Sequence, residues 1–131
     1  MKQQKDIKVF SLPRIEDPRG NLTFLEEYHQ VPFKIERVFW TYDVPGGEQR
    51  GGHAYKLQEE VIIALSGSFD IVITNADGTK IKYNLNRSYN AIYIPARTWR
   101  HAENHSTNAV SLHLSSHKFD KNDYIRDFNS L

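Results

Sequence analysis

GEQRGGHAYKLQEEVIIALSG, residues 47–67, contains the most informative pattern in the sequence. A glycine-rich loop leads into a segment that carries Arg50, His53 and Tyr55, and the short apolar run from Val61 to Leu65 is typical of a buried strand. Alternate residues of a strand share a face, so His53 and Tyr55 are predicted to point into the same space. Any chemistry that the chain performs is therefore expected here.

Length and charge limit the classes of function. The 131 residues are enough for one domain, expected to span residues 1–131, and 17 Lys and Arg residues nearly balance 16 Asp and Glu residues. This balance argues against a nucleic-acid or membrane partner held by bulk charge, so an anionic ligand has to be bound by a few placed arginines. The absence of cysteine excludes disulfides and thiolate metal sites.

No apolar run approaches the roughly 18 residues of a membrane helix, and no secretory signal is evident, so we predict a cytoplasmic protein.

Strand signals run through most of the chain. Short segments of β-branched and aromatic residues, several of them alternating with polar residues, are separated by Gly, Pro and Asn turns. They are residues 7–10, 22–27, 35–44, 61–65, 69–74, 80–85, 91–94 and 110–115. One short helix of one or two turns is predicted from Lys121 to Phe128. The pattern predicts an all-β sandwich or small barrel, and composition alone does not distinguish a jelly roll from other barrels.

The spacing within the opening stretch resembles the first signature of the cupins, which reads Gly, five residues, His-x-His, three or four residues, Glu, six residues, Gly. In this chain the signature positions hold Gly47, His53, Tyr55, Glu60 and Gly67, and every spacer fits. The second histidine alone is changed. The resemblance implies an all-β cupin fold, that is, a double-stranded β-helix or jelly-roll barrel, with a short C-terminal helical turn.

A second, looser cupin signature, Pro-x-Gly-x-x-His-x-x-x-Asn, corresponds to residues 95–104. Pro95 and Asn104 keep their places, whereas Arg97 and Arg100 replace the glycine and the histidine. The four positions that bind metal in the family therefore hold His53, Tyr55, Glu60 and Arg100. A guanidinium beside a divalent cation is unfavourable and a neutral phenol is a poor substitute for imidazole, so we predict no metal. A metal-dependent dioxygenase-type cupin is accordingly the least favoured alternative.

A closer resemblance extends over almost the whole chain. The sequence is similar to the WxcM-like group of dTDP-4-keto-6-deoxyglucose 3,4-ketoisomerases in an ordered series of segments: residues 17–22, 31–40, 50–54, 65–68, 93–99 and 123–126. The resemblance implies an isomerase that needs no cofactor and acts on a dTDP-linked keto-deoxy sugar, in the synthesis of deoxy-amino sugars for surface polysaccharides or glycoproteins. It also implies a homodimer in which the N-terminal strands are exchanged.

The reaction implied by this resemblance is a tautomerisation that moves a ketone from C4 to C3 through an enediol. His53 is the predicted base, because an imidazole titrates near the working pH. The ketoisomerases usually carry His-Ala-His, whose two histidines are assigned the proton transfers, where this chain has His53-Ala54-Tyr55. We hypothesise that Tyr55 takes over part of the missing histidine's task, the alternative being an aromatic ring that merely fills the space. Glu60 is predicted to orient His53 or to pair with Arg50 or Arg100.

Substrate contacts are assigned mainly to arginine, because a guanidinium recognises phosphate bidentately. Arg50 is the first candidate for the diphosphate, Arg19 and Arg37 are the next, and Arg100 is placed at the cavity or its rim. Trp40 is expected to stack on the thymine or the sugar, or to be buried in a dimer. Four other histidines have no paired motif and are interpreted as structural or solvated: His29, His105, His113 and His117. His113 lies on the polar side of its strand, so a place in the cavity wall stays open as the alternative for it.

Two alternative functions stay open on the sequence alone. The first is an epimerase of the same ligand class, which would need a base and an acid placed for C3 and C5, and the chain offers His53 with a tyrosine elsewhere. The second is a cupin without catalysis that binds a sugar nucleotide or acts in a sugar-modifying complex, because the second histidine is lost.

Overall fold

A computed structural model describes residues 6–131 and shows a chain built largely from short strands. Residues 1–5, which the single-domain prediction includes, lie outside the described residues. In chain order the strands are β1 Lys8–Ser11, β2 Arg14–Ile15, β3 Leu22–Thr23, β4 Arg37–Thr41, β5 Arg50–Tyr55, β6 Glu60–Ser66, β7 Phe69–Thr74, β8 Lys80–Leu85, β9 Asn90–Ile94, β10 Trp99–Glu103, β11 Val110–Ser115 and β12 Tyr124–Ile125. Within residues 6–131, no helix has the length and apolar character needed to cross a membrane.

Ten of these strands form two five-stranded antiparallel sheets. One sheet has the order β1-β9-β6-β11-β4 and the other β12-β5-β10-β7-β8, while β2 and β3 form a small separate ribbon. Ile62 and Ile92 of the first sheet share a buried cluster with Phe69, Ile71 and Leu85 of the second. The two sheets therefore pack face to face over an apolar core, and the predicted all-β sandwich is confirmed.

Strand β6 is apolar on both of its faces, which explains its uninterrupted run of hydrophobic residues. Ile62 points into the core between the sheets, whereas Val61 and Ile63 belong to a second buried cluster with Val31 and Phe33. Those two residues come from the segment that precedes β4, which therefore covers the outer face of the first sheet. Burial on both faces removes the alternation that would otherwise mark a strand.

The predicted C-terminal helical turn is confirmed, but as 3₁₀ turns and not as one continuous helix from Lys121 to Phe128. The segment forms two 3₁₀ turns, Lys121–Asp123 and Phe128–Ser130, separated by β12. The side chains of Asp120 and Asp127 each accept a hydrogen bond from the backbone N–H two residues further on, which favours isolated turns over a continuous helix. Between the turns, β12 pairs with β5, and this pairing places Tyr124 opposite Tyr55.

Two predicted strands are shorter than expected. Residues 22–27 contribute only β3, because a turn follows in which the backbone N–H groups of His29 and Val31 both donate to the carbonyl of Glu26. Residues 35–44 contribute only β4, and Asp43, with a φ of 58°, lies just beyond its end in the left-handed region that interrupts a strand.

The interior between the sheets also contains charged and polar groups. Glu60, Arg100 and Ser111 expose only 2%, 3% and 4% of their surface. Charged groups are buried at such a level only where other groups pair with them. This polar region of the interior is the candidate site.

Candidate active site

A cavity of about 290 Å³ opens between the two sheets. The sheet of β5 and β10 contributes Arg50, His53, Tyr55 and Arg100 to its wall. The facing sheet contributes Phe39, Glu60, Ser111 and His113, and two further wall residues, Tyr124 and Arg126, come from the C-terminal segment. The cavity therefore brings together five residues that sequence analysis selected with others that it did not. The five are Arg50, His53, Tyr55, Glu60 and Arg100.

A bulge in β5 directs both Arg50 and His53 at this cavity. Residues three apart would point to opposite faces of a regular strand. Here Arg100 lies opposite His53 while Ala102 lies opposite Arg50, so three steps along β5 correspond to two steps along β10. Gly51 has a φ of 73°, which glycine adopts without strain and which suits the extra residue of a bulge.

Glu60 is the centre of a buried ionic network. Its Oε1 accepts a hydrogen bond from Nη1 of Arg100 at 2.9 Å, and its Oε2 lies 3.0 Å from Nδ1 of His113. Burial alone would oppose ionisation, but His113 and Arg100 outweigh it and lower the pKa of the Glu60 carboxyl to about 2. Glu60 is therefore an ionised carboxylate at neutral pH. The predicted pairing with Arg100 is confirmed, and the predicted orienting of His53 by Glu60 is wrong, because Glu60 bonds to His113 instead.

His53 lines this cavity and has one unpaired ring nitrogen. Its Nε2 is buried and has no hydrogen-bond partner among residues 6–131. Burial lowers the pKa of His53 to about 4, and the positive charges of Arg100 and Arg126 act in the same direction. The imidazole is therefore neutral at neutral pH, which is the form that accepts a proton, but the expectation that its pKa lies near the working pH is wrong because burial disfavours the charged ring.

Tyr55 lies on the same side of β5 as His53, as the alternation predicted. The two rings meet edge to face with their centroids 4.6 Å apart, and the guanidinium carbon of Arg100 lies 4.9 Å from the centre of the Tyr55 ring. The Tyr55 hydroxyl donates to the hydroxyl of Tyr124 at 3.4 Å. Burial, with Glu60 and Tyr124 adding to it, raises the pKa of the Tyr55 phenol far above its usual range, so this residue keeps its proton.

Three residues selected for substrate binding do not line the cavity. Arg19 lies in an exposed turn, where it forms an ion pair with Asp17. Trp40 points away from the cavity side of β4 and is 58% exposed. Arg37 shares the inner side of β4 with Phe39, but it donates to Gln58 and lies over the Phe39 ring. A contact between any of these three residues and substrate stays a prediction.

The metal-ligand positions of cupins hold a set of side chains unsuited to a cation. The guanidinium of Arg100 already occupies one oxygen of Glu60, the single carboxylate of the set. Among residues 6–131, no group of three or more His, Asp or Glu side chains is arranged to hold a metal ion. Catalysis without a metal stays a prediction that this donor set supports.

Sequence analysis did not select five polar residues of the cavity wall that the structure brings together: His105, Ser111, His113, Tyr124 and Arg126. In β11 the apolar residues alternate with Ser111, His113 and Ser115, and lining of the cavity was considered only for His113. In fact Ser111 and Ser115 are buried and His113 exposes 14% of its side chain, because the polar side faces the interior. The alternation of polar and apolar residues along β11 is the sequence pattern that could have indicated these residues, because in a two-layer β protein the polar side of a strand can face the interior.

Comparison with known proteins places this geometry in a family. The family model described as WxcM-like, C-terminal, matches residues 5–131. A curated relative, TDP-4-oxo-6-deoxy-α-D-glucose-3,4-oxoisomerase from Aneurinibacillus thermoaerophilus, is 34% identical over 124 residues, which are 94% of this chain and 88% of the relative.

Two solved structures agree with this assignment. The TDP-quinovose 3,4-ketoisomerase from Campylobacter jejuni has a TM-score of 0.89 and 39% identity, with 96% of each chain covered. A mutant of a 3,4-ketoisomerase from Thermoanaerobacterium thermosaccharolyticum, in complex with TDP-4-keto-6-deoxyglucose, has a TM-score of 0.91 and 30% identity, covering 95% of this chain and 89% of the other. The predicted cupin architecture is thereby confirmed, and the chain belongs to the WxcM-like family of sugar-nucleotide 3,4-ketoisomerases.

Proposed function

We propose that the chain converts TDP-4-keto-6-deoxyglucose into its 3-keto isomer by acid–base tautomerisation, without a metal or a cofactor. The observation that carries the proposal is the buried Nε2 of His53, which has no hydrogen-bond partner among residues 6–131 and belongs to a side chain in the wall of a cavity that Arg100 also lines. The substrate class follows from the family, whose relatives act on or bind TDP-linked keto sugars.

His53 is the proposed base. Its neutral ring takes the proton from C3, the carbon beside the ketone, and later returns a proton to C4. Because Nε2 has no partner in the described part of the chain, a bound sugar is the group proposed to satisfy it.

Arg100 is proposed to stabilise the negative charge that develops on O4 when the C3 proton leaves. Nη1 of Arg100 is fixed by Glu60, whereas Nη2 is buried and has no hydrogen-bond partner among the residues that the structure describes. A donor held in this way needs no reorganisation during the reaction, and such fixed donors typically contribute several kcal/mol to catalysis, about 2.7–4 for an oxyanion-hole group.

Arg50 and Arg126 are the proposed partners of the diphosphate. Both line the cavity, and the exposed position of Arg50 on β5 places it at the mouth. Arg126 lies over the ring of Tyr124, with its guanidinium carbon 4.6 Å from the ring centre. Two guanidinium groups supply bidentate donors to an anion, although the whole chain carries a formal net charge of only +1.

We further propose that the protein acts as a cytoplasmic homodimer with exchanged N-terminal strands. In support, β1 is an edge strand that pairs only with β9 among the described strands, so a second copy could supply the same ladder. Val38, Trp40 and Leu65 also leave about half of their surface exposed on the first sheet. Light scattering at two protein concentrations gives the mass, and a monomer at both would contradict the dimer.

The reaction is tested by incubating the protein with TDP-4-keto-6-deoxyglucose in deuterated water and identifying the sugar by proton NMR. We expect the ketone at C3 and deuterium at C4, with no exchange at C5. Deuterium at C5 would favour a 3,5-epimerase, and binding of TDP without any exchange would favour a binding protein. The His53→Asn variant is the control for a reaction that does not need the protein's base.

A further inference from the structure

Ser111, His113 and Glu60 form a hydrogen-bonded line in the wall of the cavity. The Oγ of Ser111 lies 2.9 Å from Nε2 of His113, and Nδ1 of His113 lies 3.0 Å from Oε2 of Glu60. The second oxygen of Glu60 is held by Arg100. A hydroxyl, an imidazole and a carboxylate in this order form an arrangement that can move a proton onto and off the hydroxyl.

The directions of these hydrogen bonds follow from the ionised state of Glu60. A carboxylate only accepts, so Nδ1 of His113 carries a hydrogen and donates it. When the His113 ring is neutral, its Nε2 accepts a hydrogen bond from the Ser111 hydroxyl, and once Nε2 holds a proton it donates back to the Ser111 oxygen. Ser111 can therefore take a proton from a ligand while it passes its own proton to His113.

The surrounding residues hold this line in one place. The ring of His113 stacks on Phe39 with centroids 4.5 Å apart, and both of its nitrogens are hydrogen bonded. Ser111 and His113 lie on β11, in the sheet opposite the one that carries His53. The same cavity thus has a proton acceptor on each of its two walls, and His53 is not connected to the line by any hydrogen bond.

We propose that Ser111 is a second catalytic residue of the isomerisation, and that His113 and Glu60 position it and hold the proton that it exchanges. This proposal rests on the proposed function. Isomerisation needs two transfers, because a hydrogen moves from C3 to C4 and a proton moves from O3 to O4. His53 carries out the first transfer and the Ser111 line carries out the second.

The atoms and electrons balance in this scheme. His53 takes the C3 proton, and the electron pair of the C–H bond forms the C3–C4 double bond while O4 becomes an oxyanion beside Arg100. The O3 proton then passes to Ser111 as the serine proton passes to Nε2 of His113, and the reverse transfer protonates O4. The C3=O bond forms as the electron pair of the double bond takes the proton from His53 at C4, so Ser111, His113 and His53 all return to their starting states.

The test separates the two transfers with Ser111→Ala in deuterated water. In this variant His53 and Arg100 are intact, so deuterium should still enter C3 of the recovered substrate at a rate within about threefold of the wild type. Formation of the 3-keto product should fall by about 100-fold or more, the usual contribution of general acid–base catalysis. In His113→Gln, formation of the 3-keto product should also fall more than exchange at C3, but by a smaller factor. Ser111→Thr should form product faster than Ser111→Ala, because it keeps the hydroxyl.

Ser115→Ala is the matched control, since Ser115 is a buried serine on the same side of β11 whose hydroxyl donates to the backbone of His117 outside the cavity. It should leave the ratio of exchange to product unchanged. Equal loss of exchange and product in Ser111→Ala, or no loss of either, would overturn the proposal while leaving the ketoisomerase function in place. If the wild type shows neither exchange nor product, the proposed function itself fails and this proposal falls with it.

Discussion

Nη1 of Arg100 lies 2.9 Å from Oε1 of Glu60, in an ion pair whose side chains are only 3% and 2% exposed. Removal of one partner from such a pair leaves an uncompensated charge in the interior. We therefore expect Arg100→Met to lower the free energy of unfolding by about 3–5 kcal/mol, measured by urea denaturation at neutral pH. The double variant Arg100→Met/Glu60→Gln should recover part of this loss, because it removes the stranded carboxylate.

The surface pair of Lys82 and Glu103 provides the control for this prediction. Its charged atoms lie 3.1 Å apart, but the Lys82 side chain is 62% exposed. Solvent screening reduces exposed pairs to less than about 1 kcal/mol, so Lys82→Met should have a correspondingly small effect. If Arg100→Met also costs less than about 1 kcal/mol, the buried pair does not carry the stability assigned to it here.

As the pH falls, protonation of His53 should destabilise the folded protein before protonation of Glu60 does. The folded pKa of His53 is lowered from 6.5 to about 4, so between these values the unfolded chain binds more protons than the folded one and stability falls as the pH falls. The carboxyl of Glu60 is lowered from 4.5 to about 2, which extends the same trend to lower pH. The His53 contribution is on the order of 3 kcal/mol, present in full above pH 6.5 and lost by about pH 4.

Urea denaturation at a series of pH values checks this linkage. The His53→Gln variant should lose the slope between pH 6.5 and 4 and keep the slope below pH 4.5. His117→Gln, at an exposed position, should behave like the wild type. A wild-type stability that stays constant between pH 6.5 and 4 would contradict the buried, neutral state of His53.

Gly67, the last position of the first cupin signature, has a steric reason to be glycine. A Cβ at this position would lie 2.5 Å from Oγ of Ser106 and 2.8 Å from Cα of Ala109, and its φ of 66° is in the left-handed region. Gly67→Ala should therefore cost more than 3 kcal/mol, the sum of about 1–2 kcal/mol of backbone strain and a clash with backbone that cannot move freely. The same denaturation experiment measures it.

Gly78 provides a control in which backbone strain is present without a steric clash. It has a φ of 89°, but a Cβ there would meet no atom within 4 Å. Gly78→Ala should thus show the strain alone, about 1–2 kcal/mol. Equal effects of the two substitutions would mean that Ser106 and Ala109 do not define the role of Gly67.

The sequence predicted the two-sheet architecture because turn residues and alternating segments are local signals. It also placed His53 and Tyr55 on one face, since strand alternation needs no tertiary information. The C-terminal segment was misjudged because its structure depends on pairing with β5, a partner more than 60 residues away in the chain. Its β12 brings Tyr124 into the site.

The network around Glu60 could not be predicted for a similar reason. Glu60, Arg100 and His113 lie on β6, β10 and β11, and they meet only because the two sheets face each other. The bulge at Gly51 was not predicted either, although a Gly-Gly pair inside a strand is a known sign of a bulge. Arg50 was chosen for its place in the motif and reaches the cavity only through that bulge.

Tyr55 stands where ketoisomerases of this family usually have the second histidine of a pair. The chemistry of its hydroxyl determines which part of the proton transfer it can take over. It donates to the Tyr124 hydroxyl at 3.4 Å and keeps its proton, since burial raises the pKa of the phenol far above its usual range. Tyr55 therefore cannot serve as a base, and its one hydroxyl proton can be donated to the sugar only in place of Tyr124. We expect Tyr55→Phe to lower kcat about tenfold with little change in KM, the cost of one hydrogen bond made in the transition state.

Steady-state assays of the 3-keto product check this expectation, with Tyr83→Phe as the control because Tyr83 packs against the apolar core and is absent from the cavity wall. Tyr124→Phe should resemble Tyr55→Phe, since it removes the other hydroxyl of the pair. Tyr55→His, which restores the family's pair, should keep or raise kcat. If Tyr55→Phe turns over substrate as fast as the wild type, Tyr55 only fills the space of the second histidine, and His53 with the groups of the facing sheet must account for all of the proton transfers.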